Sequence, residues 1–185
     1  MTFWQDPKLE PKRGYRFLMS IVGEEDDLKS FLIKSTSKPS FTVGETPHQF
    51  LNHTFYYPGK VEWQPVTVTV VDTVEPDANG TQIIMKMLEK SGYKIPSSLS
   101  DTSTISKRNS VRALGEVKIR TLDSDGEIVE EWVLNNAWIQ DAKFGDLGYE
   151  TEDMLNVELT FRYDNAYVNV LNGDGKLPSN ATGAN

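Results

Sequence analysis

In Val61-Glu-Trp-Gln-Pro-Val-Thr-Val-Thr-Val-Val-Asp72, valine and threonine alternate from Val66 to Val70. A period of two turns Val66, Val68 and Val70 to one side and Thr67 and Thr69 to the other, the pattern of a strand with one buried face. Immediately upstream lies Val43-Gly-Glu-Thr-Pro-His-Gln-Phe-Leu-Asn-His-Thr-Phe-Tyr-Tyr-Pro-Gly-Lys60, dense in aromatic rings yet broken by Pro47 and Pro58-Gly59. A central strand does not tolerate those prolines in its ladder, so this stretch reads as a projecting hairpin or a long loop over 44–60.

Further toward the N-terminus, Phe17, Met19 and Ile21 alternate with Leu18, Ser20 and Val22, giving another strand that Gly23 and the acidic run Glu24 to Asp27 close as a polar turn. Leu28 to Lys34 is an apolar run of strand length. Downstream, Asn79 and Gln82 have the spacing of a helix cap, and Ile83, Ile84, Met87 and Leu88 follow at helical intervals before Gly92. One amphipathic helix over about 80–91 is predicted. Residues 96–110 are rich in serine and threonine and read as a long surface loop. Strands resume at Glu116 to Leu122, turn at Asp123-Ser-Asp-Gly126, return over Ile128 to Leu134 and continue through Ala137-Trp-Ile139. In the last strand Val157, Leu159, Phe161 and Tyr163 share one face. The expected architecture is mainly β with α+β character: two packed antiparallel sheets forming a sandwich or barrel with one flanking helix. The expected organisation is an arm at 1–12, a β domain at 13–170 and a mobile tail at 171–185.

The chain has 185 residues, no cysteine, 19 basic and 27 acidic side chains, and a net charge of −8. A chain of this length buries a core without cross-links. The missing cysteines remove disulfide scaffolds, cysteine-ligated metals and thiol catalysis. The acidic balance argues against gripping nucleic-acid phosphates, an affinity that lysine and arginine supply. No segment reaches the roughly 18 apolar residues of a membrane span, and the N-terminus lacks a secretion-signal layout, so a soluble protein made in the cytosol without a membrane anchor is expected.

Chemistry-bearing patterns are few. His48 and His53 flank Phe50-Leu51, with no third and fourth ligand at a metal-site spacing. Asp123, Asp125 and Glu127 resemble a calcium loop, but Gly126 falls two places early and no closing glutamate follows. Carboxylate pairs such as Glu130-Glu131 are expected by chance in so acidic a chain. No nucleophile elbow, dinucleotide fingerprint or phosphate loop occurs. We therefore expect no enzyme activity, no cofactor and no metal. The aromatic investment in Phe50, Phe55, Tyr56 and Tyr57 remains to be explained, and an exposed apolar patch marks an association surface. A ring of identical subunits would also cover the strand edges that an open sheet exposes.

The run Val61 to Asp72 resembles the strand that follows the long loop in tail tube proteins of contractile-tailed bacteriophages. The order of elements is also similar: an opening strand at Arg13 to Ile21, a loop, the valine-rich strand, a helix, and a closing strand at Val157 to Tyr163. The resemblance spans about 13–165 and implies a fold shared with the inner tube of type VI secretion systems. It implies hexameric rings that stack into a tube, and inter-subunit contacts by Phe50, Leu51, Phe55, Tyr56, Tyr57 and Trp63, with Phe3 and Trp4 of the arm. It further implies the tail sheath protein, a baseplate hub or tube initiator and a tape-measure protein as partners, passage of DNA without specific binding, and residence in the virion tail. Alternatives are a tube initiator or terminator, a secretion-system tube subunit, and a carbohydrate- or peptide-binding β-sandwich module using Trp63, Trp132 and Trp138 as stacking platforms.

Overall fold

The computed structural model describes residues 10–23, 27–28, 32–94, 96, 102–150 and 152–170. Alternating sequences become strands throughout: β1 (Phe17–Val22), β2 (Asp27–Leu28), β3 (Ile33–Thr36), β4 (Ser40–Phe50), β5 (His53–Gln64), β6 (Val66–Val71), β7 (Glu116–Leu122), β8 (Ile128–Asn135), β9 (Trp138–Lys143), β10 (Asn156–Arg162) and β11 (Asn165–Val170). Two helices, α1 (Gly80–Lys90) and α2 (Lys107–Leu114), interrupt them between β6 and β7. The strands make a five-stranded sheet in the order β11-β8-β7-β1-β2, a four-stranded sheet in the order β3-β6-β10-β9, and the separate ribbon β4-β5. Every pairing is antiparallel.

The core is where the periodicity placed it. Val66, Val68 and Val70 are buried beside Val157, Leu159 and Phe161 of the neighbouring strand, and they face Met19, Ile21, Val117 and Ile119 of the other sheet. Ile83, Ile84 and Met87 of α1 and Leu114 of α2 complete the cluster. The two sheets remain open at their edges, so the expected sandwich-or-barrel is a sandwich.

Asp72, at the end of β6, ties the sheet to the helix. Its Oδ1 accepts the Gly80 amide at 2.8 Å and its Oδ2 the Thr81 hydroxyl at 2.7 Å. Burial alone would raise this carboxyl, but these bonds and the Thr73 amide outweigh it and hold the group below its ordinary range. Asn79 caps α1 as its spacing indicated, its Oδ1 accepting the Gln82 amide at 2.8 Å.

Four local readings are corrected. The stretch 96–110 is not all loop, because α2 begins within it. Ser106 accepts the Asn109 amide, Ser110, Ala113 and Leu114 are buried on one side, and Gly115 ends the helix at φ 76°. A Cβ at Gly115 would collide with the Val22 carbonyl, which is how closely the end of α2 meets β1. The short apolar stripe straddled a compositional boundary and escaped detection.

Ala137 to Ile139 does not prolong the preceding strand: Asn136 turns at φ 53°, and β9 joins the opposite sheet beside β10. The run Leu28 to Lys34 contributes to two strands in different sheets, with 29–31 outside the described residues. Finally, β11 follows the strand expected to be last and pairs with β8. The terminal stretches 1–9 and 171–185, including Phe3 and Trp4, lie outside the described residues.

Candidate assembly interface

The proline-broken aromatic stretch is a hairpin. Its strands pair from Ser40–Gln64 at the foot to Phe50–His53 at the tip, where Leu51 and Asn52 turn the chain. At about 3.4 Å per residue, an 11-residue strand reaches roughly 35 Å. Pro47 and Pro58 are compatible with this ribbon because a two-stranded ribbon has a free outer edge, where a missing N–H leaves no ladder partner unsatisfied. Midway, the register shifts between Val43 and Glu45. Gly44 and Gly59 meet there so closely that a Cβ on Gly59 would lie 3.0 Å from the Gly44 carbonyl oxygen. That contact makes glycine the fitting residue at the bulge.

Cross-strand partners share a face, so the register sorts the aromatic residues. Phe50 opposite His53, His48 opposite Phe55, and Thr46 opposite Tyr57 occupy one face; Pro47 opposite Tyr56 occupies the other. Phe50, Leu51, Phe55, Tyr56 and Tyr57 are all exposed. The structure thus gathers six of the expected contact residues on one ribbon, with Leu51 at its tip and Trp63 at its foot, and divides Phe50, Phe55, Tyr56 and Tyr57 between its two surfaces. Phe41, Val43 and Val61 extend the apolar surface toward the foot, a contribution the sequence reading overlooked.

The tip is unusual. Leu51 is 87% exposed and sits at φ 50°, a left-handed conformation that costs a bulky L-residue about 1–2 kcal/mol. Leucine here is a poor choice for an isolated ribbon on both counts. Trp63, by contrast, is partly buried at the foot. Its ring centroid lies 5.4 Å from that of Phe41 and 5.9 Å from that of Tyr163, so it seats the ribbon on its own subunit.

A carboxylate holds the connection that leads into the ribbon. Glu130 on β8 is only 8% exposed. It receives Lys12 of the N-terminal segment, Lys38 of the β3–β4 connection at 2.6 Å, and the Trp132 indole N–H at 2.7 Å. Burial pushes this carboxyl up, but the two ammonium groups and the indole more than offset it and bring it down to about 2. The sequence carried a signal for this site, because Glu130 shares its strand face with Trp132 and Leu134. A second ion pair joins α2 to the β10–β11 connection: Lys107 donates to both carboxylate oxygens of Asp164 at 2.7 Å, holding that carboxyl below its ordinary range.

Trp63 and Trp138 line a cleft of about 570 Å³ together with Arg162 and Asp164. Trp132 packs against the core and donates to Glu130. Trp63 and Trp138 therefore share one cleft, and Trp132 stands apart from it.

No family model and no curated protein sequence matches the chain. Solved structures do. A chain of the PVC sheath/tube terminator of an extracellular contractile injection system, in the extended state, aligns with TM-score 0.62 and 16% identity over 87% of this chain and 98% of that one. A chain of the PVC sheath-tube complex aligns with TM-score 0.61 and 17% identity over 92% and 99%. A chain of the six-fold symmetrised anti-feeding prophage baseplate aligns with TM-score 0.61 and 16% identity over 86% and 96%. At such identities the likeness concerns architecture alone. The chain has the tail-tube fold found in contractile injection systems.

Proposed function

We propose that this chain is a non-enzymatic structural subunit of a contractile tail tube, whose copies close into hexameric rings that stack around a channel. The observation that carries the reading is the β4–β5 ribbon. It presents apolar side chains on both surfaces and a leucine at a strained tip, and an isolated two-stranded ribbon is at best marginally stable in water. Packing between copies supplies what the ribbon lacks, with roughly 1.5–3 kcal/mol for each large apolar side chain fully covered. The tail-tube fold and the six-fold symmetry of the baseplate to which one similar chain belongs support the same reading.

On this reading Phe50, Leu51, Phe55, Tyr56 and Tyr57 bridge neighbouring copies, and Phe3 and Trp4 add contacts from the arm. Trp63 sets the angle of the ribbon. Tail sheath, baseplate hub and tape-measure proteins are the partners of such a tube in a virion tail. The −8 charge per copy favours passage of DNA without adhesion, because like charge on a channel wall repels phosphates. A tube-terminating role is the second reading, favoured by the likeness to a sheath/tube terminator.

Changing Phe55 and Tyr56 together to Ser tests the interface. Both rings are exposed, so the variant should fold as the wild type does while losing long tubes in negative-stain micrographs. Unfolding of the double variant would assign these rings to the subunit's own stability instead. Wild-type assemblies that stop at single rings would favour the terminating role.

A further inference from the structure

The four-stranded sheet has β3 at one edge and β9 at the other, about 14 Å apart across three strand spacings. These two edges carry opposite charge. Beside β3, Lys12, Arg13, Lys34 and Lys38 line a cleft of about 730 Å³ with Tyr15 and Thr36. Glu130 engages Lys12 and Lys38, while Arg13 and Lys34 make no ion pair among the described residues. In a chain of net charge −8 this gathering of cations stands against the overall balance. Following β9, Asp146 and Asp153 line a second cleft with Glu158 and Lys143, and Glu150 and Glu152 are exposed close by in sequence. Asp146, Glu150, Glu152 and Asp153 likewise form no ion pair among the described residues.

We infer that the basic cleft beside β3 receives the acidic segment after β9 of a second copy of this chain. Opposite charges at opposite edges of one sheet cannot meet within a subunit. Between subunits they join head to tail, the heterologous contact that generates a ring when the rotation closes. The clamp orients each copy, because reversing a neighbour would set like charge against like, and such juxtaposition is strongly unfavourable at an interface. The inference rests on the tube reading for ring closure, but it concerns lateral neighbours and uses none of the hairpin residues.

Charge reversal tests it. Arg13→Glu with Lys34→Glu makes both edges acidic, and Asp146→Lys with Glu150→Lys, Glu152→Lys and Asp153→Lys makes both basic. Each variant alone should keep the wild-type circular dichroism and need about tenfold more protein, or higher, to assemble in sedimentation. An equimolar mixture of the two should assemble at close to the wild-type concentration, because alternating copies again oppose unlike charges. Wild-type assembly should weaken with added salt. Undiminished assembly of the separate variants, or a mixture no better than either, overturns the clamp alone. A wild-type chain that never associates overturns the clamp and the tube reading together.

Discussion

Leu51→Gly should stabilise the isolated subunit and weaken the assembly, two effects of opposite sign from one substitution. The native residue is held at φ 50°, where glycine has no Cβ to clash. Relief of about 1–2 kcal/mol is partly offset by the larger entropy that glycine has when unfolded, about 0.5–1 kcal/mol. The net gain expected for the monomer is roughly 0.5–1 kcal/mol, with no packing loss because the side chain is 87% exposed. In the assembly, the leucine covered by a neighbouring copy contributes roughly 1.5–3 kcal/mol, so its loss should raise the assembly concentration about ten- to a hundredfold. Urea unfolding at low protein concentration reads the first effect and sedimentation at rising concentration reads the second. A variant that is less stable as a monomer, or that assembles as readily as the wild type, would refute the reasoning about the tip.

Glu130→Gln should cost on the order of 2–3 kcal/mol, because it leaves Lys12 and Lys38 without their shared carboxylate; thermal unfolding measures it. With a folded pKa of about 2 against an ordinary value of 4.5, the carboxylate's contribution is complete above the unfolded value and fades as pH falls toward the folded one. The wild type should accordingly lose stability between about pH 4.5 and 2, and the Gln variant should show a shallower decline there. Asp72→Ala should lower stability by about 1–2 kcal/mol through loss of the acceptor for the Gly80 amide and the Thr81 hydroxyl at the start of α1, read by denaturant unfolding. Gly115→Ala should destabilise more severely, by over about 2 kcal/mol, because the positive φ and the Val22 carbonyl both oppose a side chain; poor soluble yield or a lowered melting temperature reports it.

The sandwich was legible wherever one side of a strand is buried and the other is wet. Val66 to Val70 and Val157 to Tyr163 announce themselves by alternation because water reaches only alternate residues. Helix α1 was equally plain, with a cap and an apolar stripe within three turns. What escaped lacked such contrast. Helix α2 is short and one of its three buried residues is a serine, so its apolar stripe is reduced to Ala113 and Leu114. The change of sheet between β8 and β9 depends on the positive φ of Asn136, which residue type alone does not disclose.

At the candidate interface, the density of aromatic residues was visible but their division between two ribbon faces was not, since that follows from the register and its bulge. Glu130 could have been found as a charge in phase with Trp132 and Leu134. Its partners Lys12 and Lys38 could not, as they come from segments distant in sequence.

The most direct test of the central claim is negative-stain electron microscopy of the purified chain across a wide concentration range. The account predicts rings that stack into hollow tubes as concentration rises. Monodisperse single subunits at every concentration and salt condition would contradict it, and would leave the exposed ribbon without the neighbours its side chains require.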